Sequence, residues 1–113
     1  MRDKLNDNSR LELMLESIIN IESFLSGIDS EDRFLADKLK CHAVLYNLQC
    51  IGESVYRLSK DFQVAHNEMD WEAMEGLRHV LVHDYYNVNL STVWAIIQTD
   101  LPALKHFLQC ILT

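Results

Sequence analysis

The sequence predicts an all-α protein in which residues 1–113 form a single domain, an up-and-down bundle of four to five helices. Three observations support this prediction. The chain of 113 residues is long enough for one domain but not for two. It contains three glycines and one proline, too few turn-forming residues for a β-sandwich or barrel of this size. Its apolar residues recur at three- and four-residue spacing, the period of amphipathic helices.

The first helical pattern begins at a capping box, in which Ser9 and Glu12 satisfy each other's backbone N–H groups. Apolar residues follow at helical spacing as far as Leu25. Gly27 then supplies a residue that can adopt the left-handed conformation at a helix end. We therefore expect the first helix to run from about Ser9 to just before Gly27.

A second pattern starts at Asp29 or Ser30, either of which can cap a helix, and continues without a breaker to about residue 59. A single helix of that length is unusual in a globular protein, so we expect a short helix and then a long one, divided near residues 34–37. The apolar positions of this segment that we assign to the core are Leu35, Ala43, Leu48, Ile51, Val55 and Leu58.

The C-terminal half contains two further patterns. Asp70 caps a helix that begins at Trp71 and continues to about residue 84. The last pattern begins after Asn89 and runs to the C-terminus. Pro102 interrupts it, so either this helix kinks there or Thr99 caps a new helix with Pro102 in its first turn.

Composition limits the functional classes. Ten basic against seventeen acidic residues give a net charge of −7, which argues against a wide nucleic-acid groove built from one chain. The longest apolar run, residues 93–97, is far shorter than a membrane span, and the N-terminal ten residues are polar. Three cysteines without a CxxC pair are typical of buried thiols in a reducing compartment. We therefore expect a cytoplasmic protein that contacts no membrane.

Gly52 and Gly76 both lie inside helical patterns, where glycine costs about 1 kcal/mol relative to alanine. The compensation we expect at both positions is the close approach of another helix.

The segment from Trp71 to residue 86 carries the residues best suited to chemistry. At 100° per residue, one side is apolar and the opposite side is polar, with Arg78 at the border and about 140° from His83. The apolar side, which we assign to the core, consists of Ala73, Met74, Leu77 and Leu81. The polar side consists of Glu72, Glu75, His79 and His83.

Three interpretations of this polar side remain open from the residues alone. It can be a solvated helix surface without a task. It can be a metal site, since Glu75, His79 and His83 are spaced at i, i+4 and i+8, although zinc needs a further ligand from elsewhere. It can bind and cleave phosphodiesters, since Arg78 offers a forked cation and His83 can exchange a proton near neutral pH. One chain supplies one such set, so two chains facing each other would make a better site.

The residues Arg78-His79-Val80-Leu81-Val82-His83-Asp84-Tyr85 resemble the R-x4-H-x-Y motif of HepT-like proteins, a branch of the HEPN-domain family. The resemblance covers nearly the whole chain. The flanking segments that carry it are Ile51-Gly52-Glu53 with Arg57-Leu58, then Trp71, Gly76-Leu77-Arg78, Val93-Trp94 and Asp100-Leu101-Pro102.

The resemblance implies a homodimer in which two R-x4-H motifs line a cleft at the interface. It also implies a metal-independent ribonuclease toxin, without a cofactor, in a type VII-like toxin–antitoxin pair with a minimal nucleotidyltransferase. That partner transfers AMP to the motif tyrosine, here Tyr85, and so inactivates the toxin. Family members usually have asparagine where this chain has His79.

Within this resemblance, Arg78 and His83 are the expected catalytic residues: Arg78 holds the RNA phosphate and His83 acts as general base or acid. His79 can donate a hydrogen bond to phosphate and orient the substrate. Glu53, next to Gly52, is a further candidate for substrate contact, against the alternative of a solvated helix surface. A different class of function also fits: a non-catalytic subunit that binds a nucleotide or the nucleotidyltransferase in the same cleft.

Overall fold

The computed structural model describes residues 6–84 and 87–112, which contain six α-helices and no strand. The helices are α1 (Asp7–Phe24), α2 (Glu31–Ala36), α3 (Lys38–Arg57), α4 (Lys60–Ala65), α5 (Trp71–His83) and α6 (Leu90–Leu112). The prediction of an all-α bundle is confirmed. In this part of the chain no helix is long and apolar enough to cross a membrane.

Side-chain caps explain where the helices of the N-terminal half begin. Asn6, rather than Ser9, caps α1: its side chain accepts a hydrogen bond from the Ser9 N–H at 2.9 Å, so the cap lies three residues earlier than predicted. Gly27 follows the end of α1 with a φ of 86°, the left-handed conformation that glycine adopts freely. Ser30 caps α2 and Asp37 caps α3, so the predicted division near residues 34–37 is confirmed.

The helices of the C-terminal half begin at the predicted residues, and no new helix begins near Pro102. Asp70 caps α5, and the side chain of Asn89 accepts hydrogen bonds from the Ser91 and Thr92 N–H groups at the start of α6. α6 continues through Pro102 as one helix. Thr99 does not cap a new helix, because its hydroxyl donates to the Ala95 carbonyl within α6.

α4 was not predicted, and with it the count of described helices rises from four or five to six. It has six residues, none of them buried, so it carries no amphipathic pattern. Its N-cap and one of its rings help to hold it. The Ser59 side chain accepts from the Phe62 N–H and also donates to the Asp7 carboxylate at 2.6 Å. The Phe62 ring packs on Trp71, with 5.9 Å between ring centroids.

α3 lies at the centre of the bundle, where it packs against α1 on one side and α5 on the other, while α6 packs on α1. Of the core positions predicted on this segment, Leu48, Ile51, Val55 and Leu58 are buried, and Leu35 and Ala43 are half-buried. α3 therefore presents one flank to α5 as a fixed surface, and this contact positions the candidate site.

Candidate functional site at the α3–α5 crossing

Gly52 allows α3 and α5 to approach closely at Arg78. A Cβ atom on Gly52 would collide with the Arg78 Cβ and would lie 3.1 Å from the Arg78 Cα. The prediction of a close helix approach is therefore confirmed at Gly52. It is wrong at Gly76, where a Cβ would meet nothing within 4 Å because this position faces the solvent side of α5.

Glu53 holds the guanidinium of Arg78 across this crossing. The Arg78 Nε donates to the Glu53 Oε1 at 2.7 Å, and the Arg57 Nε donates to the other oxygen, Oε2, at 3.0 Å. The hydrogen bond from Arg78 is the main cause that lowers the pKa of Glu53, and Arg57 contributes to it. Glu53 is thus a bridging carboxylate rather than a solvated helix residue.

Tyr56 supports the same guanidinium from a second direction. The Arg78 Cζ lies 4.6 Å from the centroid of the Tyr56 ring, a cation–π contact. The hydrogen bond to Glu53 uses Nε, so the two terminal nitrogens of Arg78 lie outside it. These are the atoms that form a bidentate contact with phosphate. The side chain of Arg78 is 24% exposed, so it is both fixed by the protein and open to a ligand.

His79 and His83 form a pair on the exposed side of α5. Their ring centroids are 4.6 Å apart and the ring planes are inclined by 47°, as expected for residues one turn apart. Both residues are exposed. Arg78 and His83 are separated by five residues, or about 7.5 Å along the helix axis. The structure therefore joins Arg78 directly to Glu53, while His83 contacts the ring of His79 one turn further along α5.

A groove of about 620 Å³ runs beside Arg78 between α5 and the α3–α4 corner. One wall consists of Tyr56, Lys60 and Gln63, and the other of Glu72, Glu75, Gly76, Arg78 and His79. The sequence did not predict that Tyr56, Lys60 or Gln63 belongs to the site. A signal for Tyr56 existed: it lies one turn after Gly52 on α3, and a residue so placed flanks the contact that the glycine permits.

The apolar side of α5 is narrower than predicted. Leu81 is buried, Met74 and Leu77 are half-buried, and Ala73 is exposed, so the assignment of Ala73 to the core is wrong. Ala73 lies about 80° around the helix from Leu81, at the edge of the buried arc. Trp71, at the opposite edge of this arc, is buried, and its indole N–H donates to the His66 carbonyl at 2.9 Å.

The other predictions concern a metal site, the three cysteines and the modified tyrosine. Across residues 6–84 and 87–112, no group of three or more His, Cys, Asp or Glu side chains is arranged to hold a metal ion. No disulfide joins Cys41, Cys50 and Cys110, and burial is the main cause that raises the pKa of the Cys41 thiol. Tyr85, the predicted modification site, lies outside the described residues.

Comparison with known proteins identifies a family. A family model described as "Ribonuclease HepT-like" matches residues 14–111. A protein of Thermococcus cleftensis named "Probable ribonuclease HepT" is 36% identical over 102 residues, which cover 90% of this chain and 92% of that protein.

Two further relatives are named as candidate RNases. One, from Caldanaerobacter subterraneus subsp. tengcongensis, is 33% identical over 95 residues and covers 84% of each chain. The other, from Methanocaldococcus jannaschii, is 32% identical over 92 residues, which cover 81% of this chain and 84% of the relative. No solved structure matches the chain significantly.

Proposed function

Because the chain belongs to the HepT-like ribonuclease family, we propose that it cleaves RNA, with Arg78 and His83 as the catalytic residues. The observation that carries this proposal is the position of Arg78. Glu53 and Tyr56 fix its guanidinium at the rim of a groove, with its terminal nitrogens outside the hydrogen bond to Glu53. A fixed cation at the place where phosphate charge develops stabilises the transition state without reorganisation during the reaction.

The reaction we propose is attack by the RNA's own 2′-hydroxyl on the adjacent phosphorus. The bond from the 2′-oxygen to phosphorus forms as the bond from phosphorus to the 5′-oxygen breaks. A neutral imidazole takes the proton from the 2′-hydroxyl, and an imidazolium gives a proton to the leaving 5′-oxygen. The products are a 2′,3′-cyclic phosphate and a 5′-hydroxyl. Side chains supply every part of this route, so it needs no metal ion.

Two copies of the chain complete the site in this proposal. One copy contributes a single His83, and the route needs both a base and an acid. If two α5 helices face each other in a homodimer, His83 of one copy serves as base and the same residue of the other copy as acid. His79, which lines the groove and stacks on His83, then orients the phosphate beside Arg78.

The proposal includes control by a minimal nucleotidyltransferase as antitoxin. In this step the Tyr85 oxygen attacks the α-phosphorus of ATP, pyrophosphate leaves, and the phenolic proton passes to solvent. The AMP group would place a phosphate two residues from His83. That negative charge would repel the RNA backbone and block the cleft.

The test is cleavage of total cellular RNA by protein whose mass shows that no AMP is attached. We expect wild type to cut RNA in the presence of EDTA and His83→Ala to be about 10²–10⁴-fold slower. The matched control is His106→Ala, which removes an exposed histidine of α6 away from the groove and should leave the rate unchanged. Activity should fall at acidic pH, because a general base must be neutral to accept a proton.

One structural feature favours the alternative of a non-catalytic subunit: Glu72 and Glu75 line the groove and repel a continuous phosphate backbone. In that case unmodified wild type leaves RNA intact at high concentration. Arg78→Lys and His83→Ala would then weaken capture of the nucleotidyltransferase in a pull-down instead. RNA left intact by unmodified wild type would overturn the nuclease proposal.

A further inference from the structure

We propose that the groove beside Arg78 is a subsite for one unpaired nucleotide, whose base stacks on Tyr56. The inference rests on the proposed function, since it describes how an RNA substrate of that site is held. It assigns a base-recognition role to a residue outside the R-x4-H motif.

The exposure of the Tyr56 ring supports base stacking. Its ring lies in the groove wall, and Arg78 covers one face, yet the residue is 52% exposed. A large aromatic ring left open beside a cation is a platform on which a base can stack. The contact with Arg78 also fixes the ring, so little side-chain freedom is lost when a base binds.

The distribution of charge along the groove walls supports a short ligand. The wall formed by the end of α3 and the start of α4 carries Arg57 and Lys60 next to Tyr56, and the three residues line a continuous depression that also reaches Glu75. The opposite wall carries the carboxylates of Glu72 and Glu75. That wall also carries Arg78, so positive and negative charges lie side by side in the groove, which does not suit a long phosphate track.

These walls suit a single nucleotide in one orientation. Its phosphates lie toward Arg57, Lys60 and Arg78. The edge of its base lies toward Glu72 and Glu75, whose oxygens accept hydrogen bonds from the amino and imino groups of bases.

Stacking on Tyr56 excludes an RNA duplex from the groove. In a double-stranded RNA helix each base is already stacked between its neighbours, so no base face is available to Tyr56. A base can reach the ring only from a single strand, a loop or an end. The groove therefore selects unpaired RNA by shape rather than by a long basic surface, which fits a chain with a net charge of −7.

The experiment measures binding without chemistry. The probe is a labelled RNA pentanucleotide in which every ribose is 2′-O-methylated, so that no 2′-hydroxyl can attack. A second probe has the same sugar–phosphate backbone without bases. Fluorescence anisotropy gives the affinity of each probe for wild type, Tyr56→Ala and Tyr56→Phe. The matched control is Tyr46→Ala, which removes a tyrosine of the same helix that is 65% exposed and outside the groove.

We expect Tyr56→Ala to weaken binding of the base-bearing probe roughly tenfold more than it weakens binding of the abasic probe. Tyr56→Phe and Tyr46→Ala should match wild type on both probes. If Tyr56→Ala weakens both probes equally, Tyr56 acts only by supporting Arg78 and the stacking proposal is overturned.

If Tyr56→Ala binds each probe with the same affinity as wild type does, the stacking proposal is also overturned. The nuclease proposal still holds in that case if wild type cuts RNA. A wild-type protein that neither binds the probes nor cuts RNA would overturn both.

Discussion

Gly52 and Arg78 lie against each other at the crossing of α3 and α5, with space for a hydrogen atom but not for a methyl group between them. This contact places Glu53, the next residue on α3, within hydrogen-bonding distance of the Arg78 Nε. The packing of the bundle and the position of the proposed catalytic cation thus depend on the same glycine.

Gly52→Ala should destabilise the protein. The new methyl group overlaps the Arg78 Cβ, so the two helices must separate, and overpacking of this kind typically costs 1–3 kcal/mol. Thermal unfolding should show a melting temperature lower by several degrees. The control is Gly76→Ala in α5, where the methyl group meets nothing within 4 Å and the better helix propensity of alanine should stabilise by up to about 1 kcal/mol. Equal shifts for both variants would contradict the close contact at Gly52.

Glu53→Gln should reduce stability at neutral pH and reduce it less in acid. Arg78 lowers the pKa of Glu53 in the folded protein, so its contribution is complete above the unfolded value of about 4.3 and disappears as pH falls through the folded value. Urea unfolding should therefore show a difference in the free energy of unfolding between wild type and variant that is smaller at pH 3 than at pH 7. Asp29→Asn, which breaks an ion pair with side chains 80% and 68% exposed, should cost little at pH 7. A gap that persists unchanged at pH 3 would contradict the ion pair.

Val82→Glu should weaken a homodimer that buries the polar side of α5. Val82 is 42% exposed and lies about 40° around the helix from Arg78, between it and His79. Wild type should be a dimer by light scattering at micromolar concentration, and the buried charge of the variant should shift it toward monomer. Ile19→Glu is the control, since Ile19 is 50% exposed on α1, a helix that packs on α3 and α6 rather than on α5. A wild-type monomer under these conditions would contradict a composite site.

The sequence predicts the bundle well because caps and apolar spacing are local. Asp70, Ser30 and Gly27 act within a few residues of their own position, and the structure places each where the pattern requires it. α4 escapes prediction for the opposite reason, since Asp7 and Trp71 hold it from distant parts of the chain.

The candidate site was predictable only in part. Arg78, His79 and His83 share one helix, so helical geometry alone groups them. Glu53 was a candidate because it adjoins Gly52, but its pairing with Arg78 and the position of Tyr56 depend on the crossing of α3 and α5 at Gly52, twenty-six positions before Arg78. A glycine inside a helical pattern indicates a close approach but does not say which helix approaches, and at Gly76 it indicates nothing of the kind.

The measurement that tests the central claim most directly is kcat/KM for one RNA oligonucleotide with wild type and Arg78→Lys. Lysine keeps the positive charge, but its single ammonium group cannot form the hydrogen bond that Arg78 Nε donates to Glu53 and a bidentate contact with phosphate at the same time. The matched control is Arg33→Lys, which changes an exposed arginine of α2 that pairs only loosely with Asp29 at 3.6 Å. If the fixed guanidinium stabilises the transition state, Arg78→Lys should be slower by about 10²–10³-fold, with little change in melting temperature, while Arg33→Lys matches wild type. An Arg78→Lys protein that cleaves at the wild-type rate would contradict the claim.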